Sequence, residues 1–162
     1  MASNACSDTG PILHLHEIHQ FSLLSLFDKI FISTYIKEEL LKHKIENLSK
    51  NFDLKEVNKD QVALLAEKYG LDLGESSVIW LCKSLEVPLL LTDDLTAREV
   101  VIELGIRPVG TAGIIVRCFR DGIITQKHAI GLLKLLHTKS SLFITSELIN
   151  YAIGEIIKFK KG

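Results

Sequence analysis

Short apolar runs alternate with amphipathic stretches along most of the chain. Lys-Ile-Phe-Ile over 29–32 predicts a strand, and Ser33 after it is a good N-cap for a helix to about residue 42. Residues 52–57 predict a weaker strand, and 59–69 a helix that stops at Gly70, a residue suited to a left-handed cap. Over 74–85 apolar residues recur at Val78, Ile79, Cys82 and Leu85, a helical stripe. That helix must end before Val87-Pro88, because proline restricts its predecessor. Leu89-Leu90-Leu91 predicts a buried strand, 95–104 a helix closed by Gly105, and 107–110 a last short strand before a helix that begins near Ala112. Two more helices are predicted over 126–136 and 147–159. The last carries Leu148, Ile149, Ala152, Ile153 and Ile156 as a stripe for core packing or a dimer contact.

Repeated strand-then-helix order predicts an α/β fold, with a central parallel sheet flanked by α-helices and with sites at the strands' carboxyl ends. A chain of 162 residues, 47% apolar and without a Pro/Gly/Ser-rich linker, suits one domain. Residues 1–5 are small and polar and read as an N-terminal extension, native or added, ahead of a domain over 6–162. No run approaches the roughly 18–20 apolar residues of a membrane span, and no secretory signal is recognisable. Cys6, Cys82 and Cys118 are odd in number and widely spaced, against a disulfide framework or zinc ribbon; a reducing cytoplasm fits best. The formal net charge of −1 gives no general attraction to nucleic acid, so such a partner must be held by a local site and by metal ions.

A few acids fall where burial disfavours them. Glu75 lies within the apolar arc of its own helix, in the first turn. A helix N-terminus stabilises an anion by only about 0.3–1 kcal/mol, so a cation or a wet cleft should face it. In the helix after Ser33, Glu39 is about 60° from Ile36 and Glu38 about 160°, so Glu39 faces inward and Glu38 faces water. Asp93 and Asp94 follow the buried strand 89–91, and Asp8 precedes Thr9-Gly10-Pro11, with Pro11 suited to a first helical position. Each acid alone has an ordinary reading as a cap or surface group. Together they fall at one edge, where like charges repel unless a divalent cation neutralises them, and hard carboxylate oxygens favour Mg²⁺ or Mn²⁺.

In order along the chain stand Ser7-Asp8-Thr9-Gly10-Pro11-Ile12, Ile36-Lys37-Glu38-Glu39-Leu40, Leu71-Asp72-Leu73-Gly74-Glu75 and Leu91-Thr92-Asp93-Asp94. Gly105-Ile106-Arg107-Pro108-Val109-Gly110-Thr111 continues the series. This pattern resembles the PIN-domain family, particularly the branch close to VapC-like toxins. The resemblance implies a parallel sheet, an acidic pocket for Mg²⁺ or Mn²⁺, and endonucleolytic cleavage of RNA, with an antitoxin as a candidate protein partner. It maps the catalytic acids onto Asp8, Glu39, Glu75 and one of Asp93 or Asp94. Asp94 is preferred because Thr92-Asp93-Asp94 fits a Thr-x-Asp pattern. The implied metal ligands are Asp8, Glu75, Asp93 and Asp94. Such proteins have a strongly apolar first strand, whereas here residues 2–7 are polar; Ser33 replaces a common proline before the Glu-bearing helix.

Candidates for substrate contact are Thr9, Thr92, Arg98 and Arg107: the arginines for phosphates near the acidic edge, Thr92 and also Thr111 for metal-bound water. His14 and His16 lie about 160° apart on a helix and cannot share an ion; with His19 they read as surface or hydrogen-bonded histidines. Two other classes compete with a nuclease. One is a non-catalytic metal-binding interaction module on the same fold. The other is a phosphotransfer receiver, whose paired acids should follow the first strand rather than a late one.

Overall fold

A computed structural model describes residues 3–160; residues 1–2 and 161–162, at the ends of the expected extension and domain, lie outside the described residues. The sheet is parallel throughout, in the order β3-β2-β1-β4-β5, from β1 (Asn4–Ser7), β2 (Lys29–Ser33), β3 (Phe52–Lys55), β4 (Leu89–Leu91) and β5 (Arg107–Val109). The helices are α1 (Thr9–Glu17), α2 (Thr34–Lys42), α3 (Lys59–Tyr69), α4 (Leu73–Ser84), α5 (Leu95–Glu103), α6 (Thr111–Arg120), α7 (Gln126–Lys139) and α8 (Ser146–Lys158). A 3-10 helix over Phe21–Leu26, which the hydrophobic pattern did not predict, links α1 to β2.

Local chemistry sets the boundaries. Ser33 caps α2 by accepting from the Ile36 amide, Asn58 caps α3, and Gly70 closes α3 at φ 65°, where an L side chain would be strained. The α1 helix starts at Thr9 with Asp8 as its N-cap, so Pro11 occupies the third helical position rather than the first. Its missing N–H is harmless there, because the first four amides of a helix have no intrahelical partner. The α4 helix ends at Ser84, leaving Leu85 as an exposed C-cap instead of a member of the buried stripe.

The first strand, polar on the page, is the centre of the sheet. It begins at Asn4, inside the segment read as an extension, and Ala5, Cys6 and Ser7 are fully buried. Buried parallel strands need no polar face, and these small side chains let α4 lie across β1, β2 and β4. The Ser7 hydroxyl donates to the Asp8 carbonyl, so its burial leaves no unmet donor. Cys6, Cys82 and Cys118 are free and buried as small core residues. In α8, Ile149 and Ile156 are buried and Ala152 and Ile153 half-buried, while Leu148 is exposed with Tyr151 and Ile157. No described helix is long and apolar enough to cross a membrane.

Candidate active site

The strand order reverses at β1, which pairs with β2 on one side and β4 on the other. Open α/β sheets bind ligands in the crevice outside such a switch point. Here the ladder runs into it: the Asp8 amide donates to the Leu91 carbonyl at 2.9 Å, and the Thr92 amide to Val109 at 3.0 Å. Asp8 leaves β1 and Thr92 leaves β4, and the fully buried Thr92 hydroxyl donates to Asp8 Oδ2 at 3.3 Å.

Asp8 also accepts from the Thr9 amide, and the Thr9 hydroxyl donates to Glu39 Oε2. Glu39 is thereby drawn toward α1, while Glu38 is exposed, as the helical phase implies. Gly74 makes room for this carboxylate: a Cβ there would come within 2.5 Å of Glu39 Oε1 and 3.5 Å of Asp72 Oδ1. Asp72 caps α4 by accepting from the Glu75 amide at 2.7 Å. That residue was not among the expected acids. Its signal was present, since an acid followed three residues later by Glu and then an apolar run marks a helix start.

The adjacent acids after β4 behave differently from one another. Asp94 is exposed and caps α5 through the Ala97 amide at 2.8 Å. Asp93 is half-buried and takes the Thr111 amide (2.7 Å), the Thr111 hydroxyl (2.5 Å) and His14 Nδ1 (2.7 Å). Gly110 permits this approach, because a Cβ would stand 2.7 Å from Asp93 Oδ1. His14 is the buried, hydrogen-bonded histidine, whereas His16 and His19 are exposed. Arg98 lies against the same corner and donates to the Thr92 carbonyl at 3.3 Å. Arg107 is exposed at the amino end of β5, opposite Leu89, and therefore at the strand end away from the acids.

These acids sense one another. Burial, assisted by the charges of Glu39 and Asp72, pushes the Asp8 carboxyl up to about 7 against the opposing pull of the Thr9 and Thr92 hydrogen bonds. Glu75 is pushed up to about 9, by burial first, then by the hydrogen bond and charge of Asp72 and the charges of Asp94 and Asp8. A family model for PIN domains, DUF3368, matches residues 4–158. The chain belongs to the PIN-domain family. Among curated proteins, none matches the chain.

PIN domains are generally nucleases and typically use divalent metals. As the side chains stand, no three His, Cys, Asp or Glu among the described residues converge to hold a metal ion. The donor chemistry of this PIN domain nonetheless fits one. Asp8, Glu75 and Asp94 offer hard oxygen, and the burial and neighbouring negative charge that raise the Asp8 and Glu75 carboxyls are what a divalent cation would offset. Asp93 already accepts three hydrogen bonds.

Proposed function

We propose that this PIN domain is an endoribonuclease dependent on Mg²⁺ or Mn²⁺, with Asp8, Glu39, Glu75 and Asp94 as its catalytic acids. The observation that carries the reading is the gathering of acids at the β1/β4 switch point, where burial raises both Asp8 and Glu75, the charges of Glu39 and Asp72 add to the rise at Asp8, and those of Asp72, Asp94 and Asp8 add to it at Glu75. Buried like charges of this kind are costly unless the site has a cationic occupant.

Asp8, Glu75 and Asp94 would hold the cation, with Glu39 beside them. Asp93 keeps α1 and α6 seated on the edge through His14 and Thr111. Bound there, a divalent ion supplies Lewis acidity toward a phosphate and lowers the pKa of water. Thr9 orients Glu39, and Thr92 orients Asp8 while accepting from the Asp94 amide at 3.2 Å. Thr9 and Thr92 thus act on the substrate through the acids. Arg98 is the cation best placed to face a phosphate at this corner.

With a net charge of −1, ions and local contacts rather than a general basic surface must hold the RNA. A role as the toxin of a toxin–antitoxin pair, as in VapC-like proteins, follows if a partner protein masks the acidic edge. Incubation of an RNA pool with Mn²⁺, Mg²⁺ or EDTA tests the reading, which requires cleavage with either metal and none with EDTA. Intact RNA in all three would instead favour a non-catalytic module.

A further inference from the structure

Beside the acidic edge, α2 and the α3–α4 junction enclose a groove of about 460 Å³ whose lining includes Tyr35, Glu38, Glu39, Lys42, Asp72 and Leu73. Tyr35, Glu38, Glu39 and Lys42 are spaced to share one face of α2. Leu73, 45% exposed in the first turn of α4, offers an apolar surface across from them. Among the described residues, neither the Tyr35 hydroxyl nor the Lys42 ammonium has a side-chain hydrogen bond or ion pair. The groove is continuous with the acid centre through Glu39, which lines it and also bonds Thr9.

We propose that this groove seats one unpaired nucleobase of the strand being cut, stacked on Tyr35, with guanine preferred over uracil. The inference rests on the nuclease reading and adds a base-recognition subsite to it. Three carboxylates against one ammonium disfavour a phosphate in the groove, whereas a base is neutral and presents N–H donors. Guanine matches the lining best. Its N1–H and N2–H₂ make two parallel donors for one carboxylate such as Glu38, and its O6 accepts from Lys42. Uracil has one N–H flanked by two carbonyls, which carboxylates repel. Recognition of unstacked bases through an aromatic platform and their Watson–Crick edge is the usual route to sequence preference in single-stranded RNA.

The test is anisotropy of labelled UUGUUU and UUUUUU RNA hexamers with the whole chain in Ca²⁺, followed by cleavage-site mapping in Mn²⁺. The expected result is at least about tenfold tighter binding of the guanine hexamer, abolished by Glu38→Gln. Tyr35→Ala should weaken it by about 5- to 150-fold, the range of one lost stacking contact, while Tyr35→Phe retains it. Circular dichroism confirms that each variant is folded. Equal affinity for both hexamers, no binding of either, or unchanged affinity in Tyr35→Ala overturns the subsite. Guanine-selective binding without cleavage sinks the nuclease reading and leaves the subsite standing; cleavage without guanine preference does the reverse.

Discussion

His14 Nδ1 lies 2.7 Å from Asp93 Oδ2, joining α1 to the turn after β4 across 79 residues of chain. Thr111 reaches the same carboxylate from α6 with its amide and its hydroxyl. One side chain thus ties α1 and the start of α6 to the turn after β4, just beyond the ends of the ladders that join β1, β4 and β5, and it fixes one side of the acidic edge.

Removing one of these donors leaves a largely buried carboxylate short of a partner. His14→Ala should lower unfolding stability by about 1–3 kcal/mol, and Thr111→Val by about 1 kcal/mol or more. Because both act on Asp93, a double-mutant cycle in urea should show non-additivity of about 0.5 kcal/mol or more. Midpoints unchanged in both single variants would show that the tie contributes nothing to stability.

Gly74→Ala places a methyl within 2.5 Å of Glu39 Oε1, the mobile end of a side chain, so the carboxylate moves rather than the backbone. Alanine also favours the helix by up to about 1 kcal/mol. The expected outcome is a melting temperature equal to or above the native one, with cleavage reduced tenfold or more. Full activity would mean that the position of Glu39 is not critical.

Asp94 has two roles, cap and acid, that substitution separates. Asparagine caps a helix about as well as aspartate, whereas alanine costs about 0.5–2 kcal/mol. Asp94→Asn should therefore keep its stability and lose activity, and Asp94→Ala should lose both. An active Asp94→Asn would restrict this residue to capping α5.

The raised acids set a pH dependence of stability. Asp8 rises from 3.8 to about 7 and Glu75 from 4.5 to about 9, so the folded state holds protons that the unfolded chain releases. Their contribution is fully present below about pH 4 and is lost as pH climbs through 7 and then 9. In EDTA the melting temperature should fall across that window. Mn²⁺ should flatten the fall, and Asp8→Asn should remove its lower part. A metal-free melting temperature that rises from pH 5 to 9 would contradict the placement of these acids.

Much of the scaffold was legible because it rests on local chemistry. Ser33 and Gly70 mark helix ends by a side-chain hydrogen bond and by backbone freedom, and helical phase alone separated Glu39 from Glu38. The β1 strand was not legible as a buried strand. Its Ala, Cys and Ser are buried by the helices that cover the sheet, which no window of seven residues can reveal. The His14 pairing with Asp93 is a tertiary fact of the same kind, and so is the separation of Arg107 from the acids. Asp72 was not among the expected acids, although its spacing from Glu75 marks a helix cap; that its charge bears on Asp8 is visible only in the fold.

The most direct measurement is cleavage of a mixed RNA pool in Mn²⁺, Mg²⁺ or EDTA by the native chain, Asp8→Asn and Glu75→Gln. Native cleavage that needs metal and falls a hundredfold or more in both variants is the expected result. Cleavage that persists in EDTA, or proceeds equally in all three proteins, would contradict the assignment of these carboxylates as a metal-dependent nuclease centre.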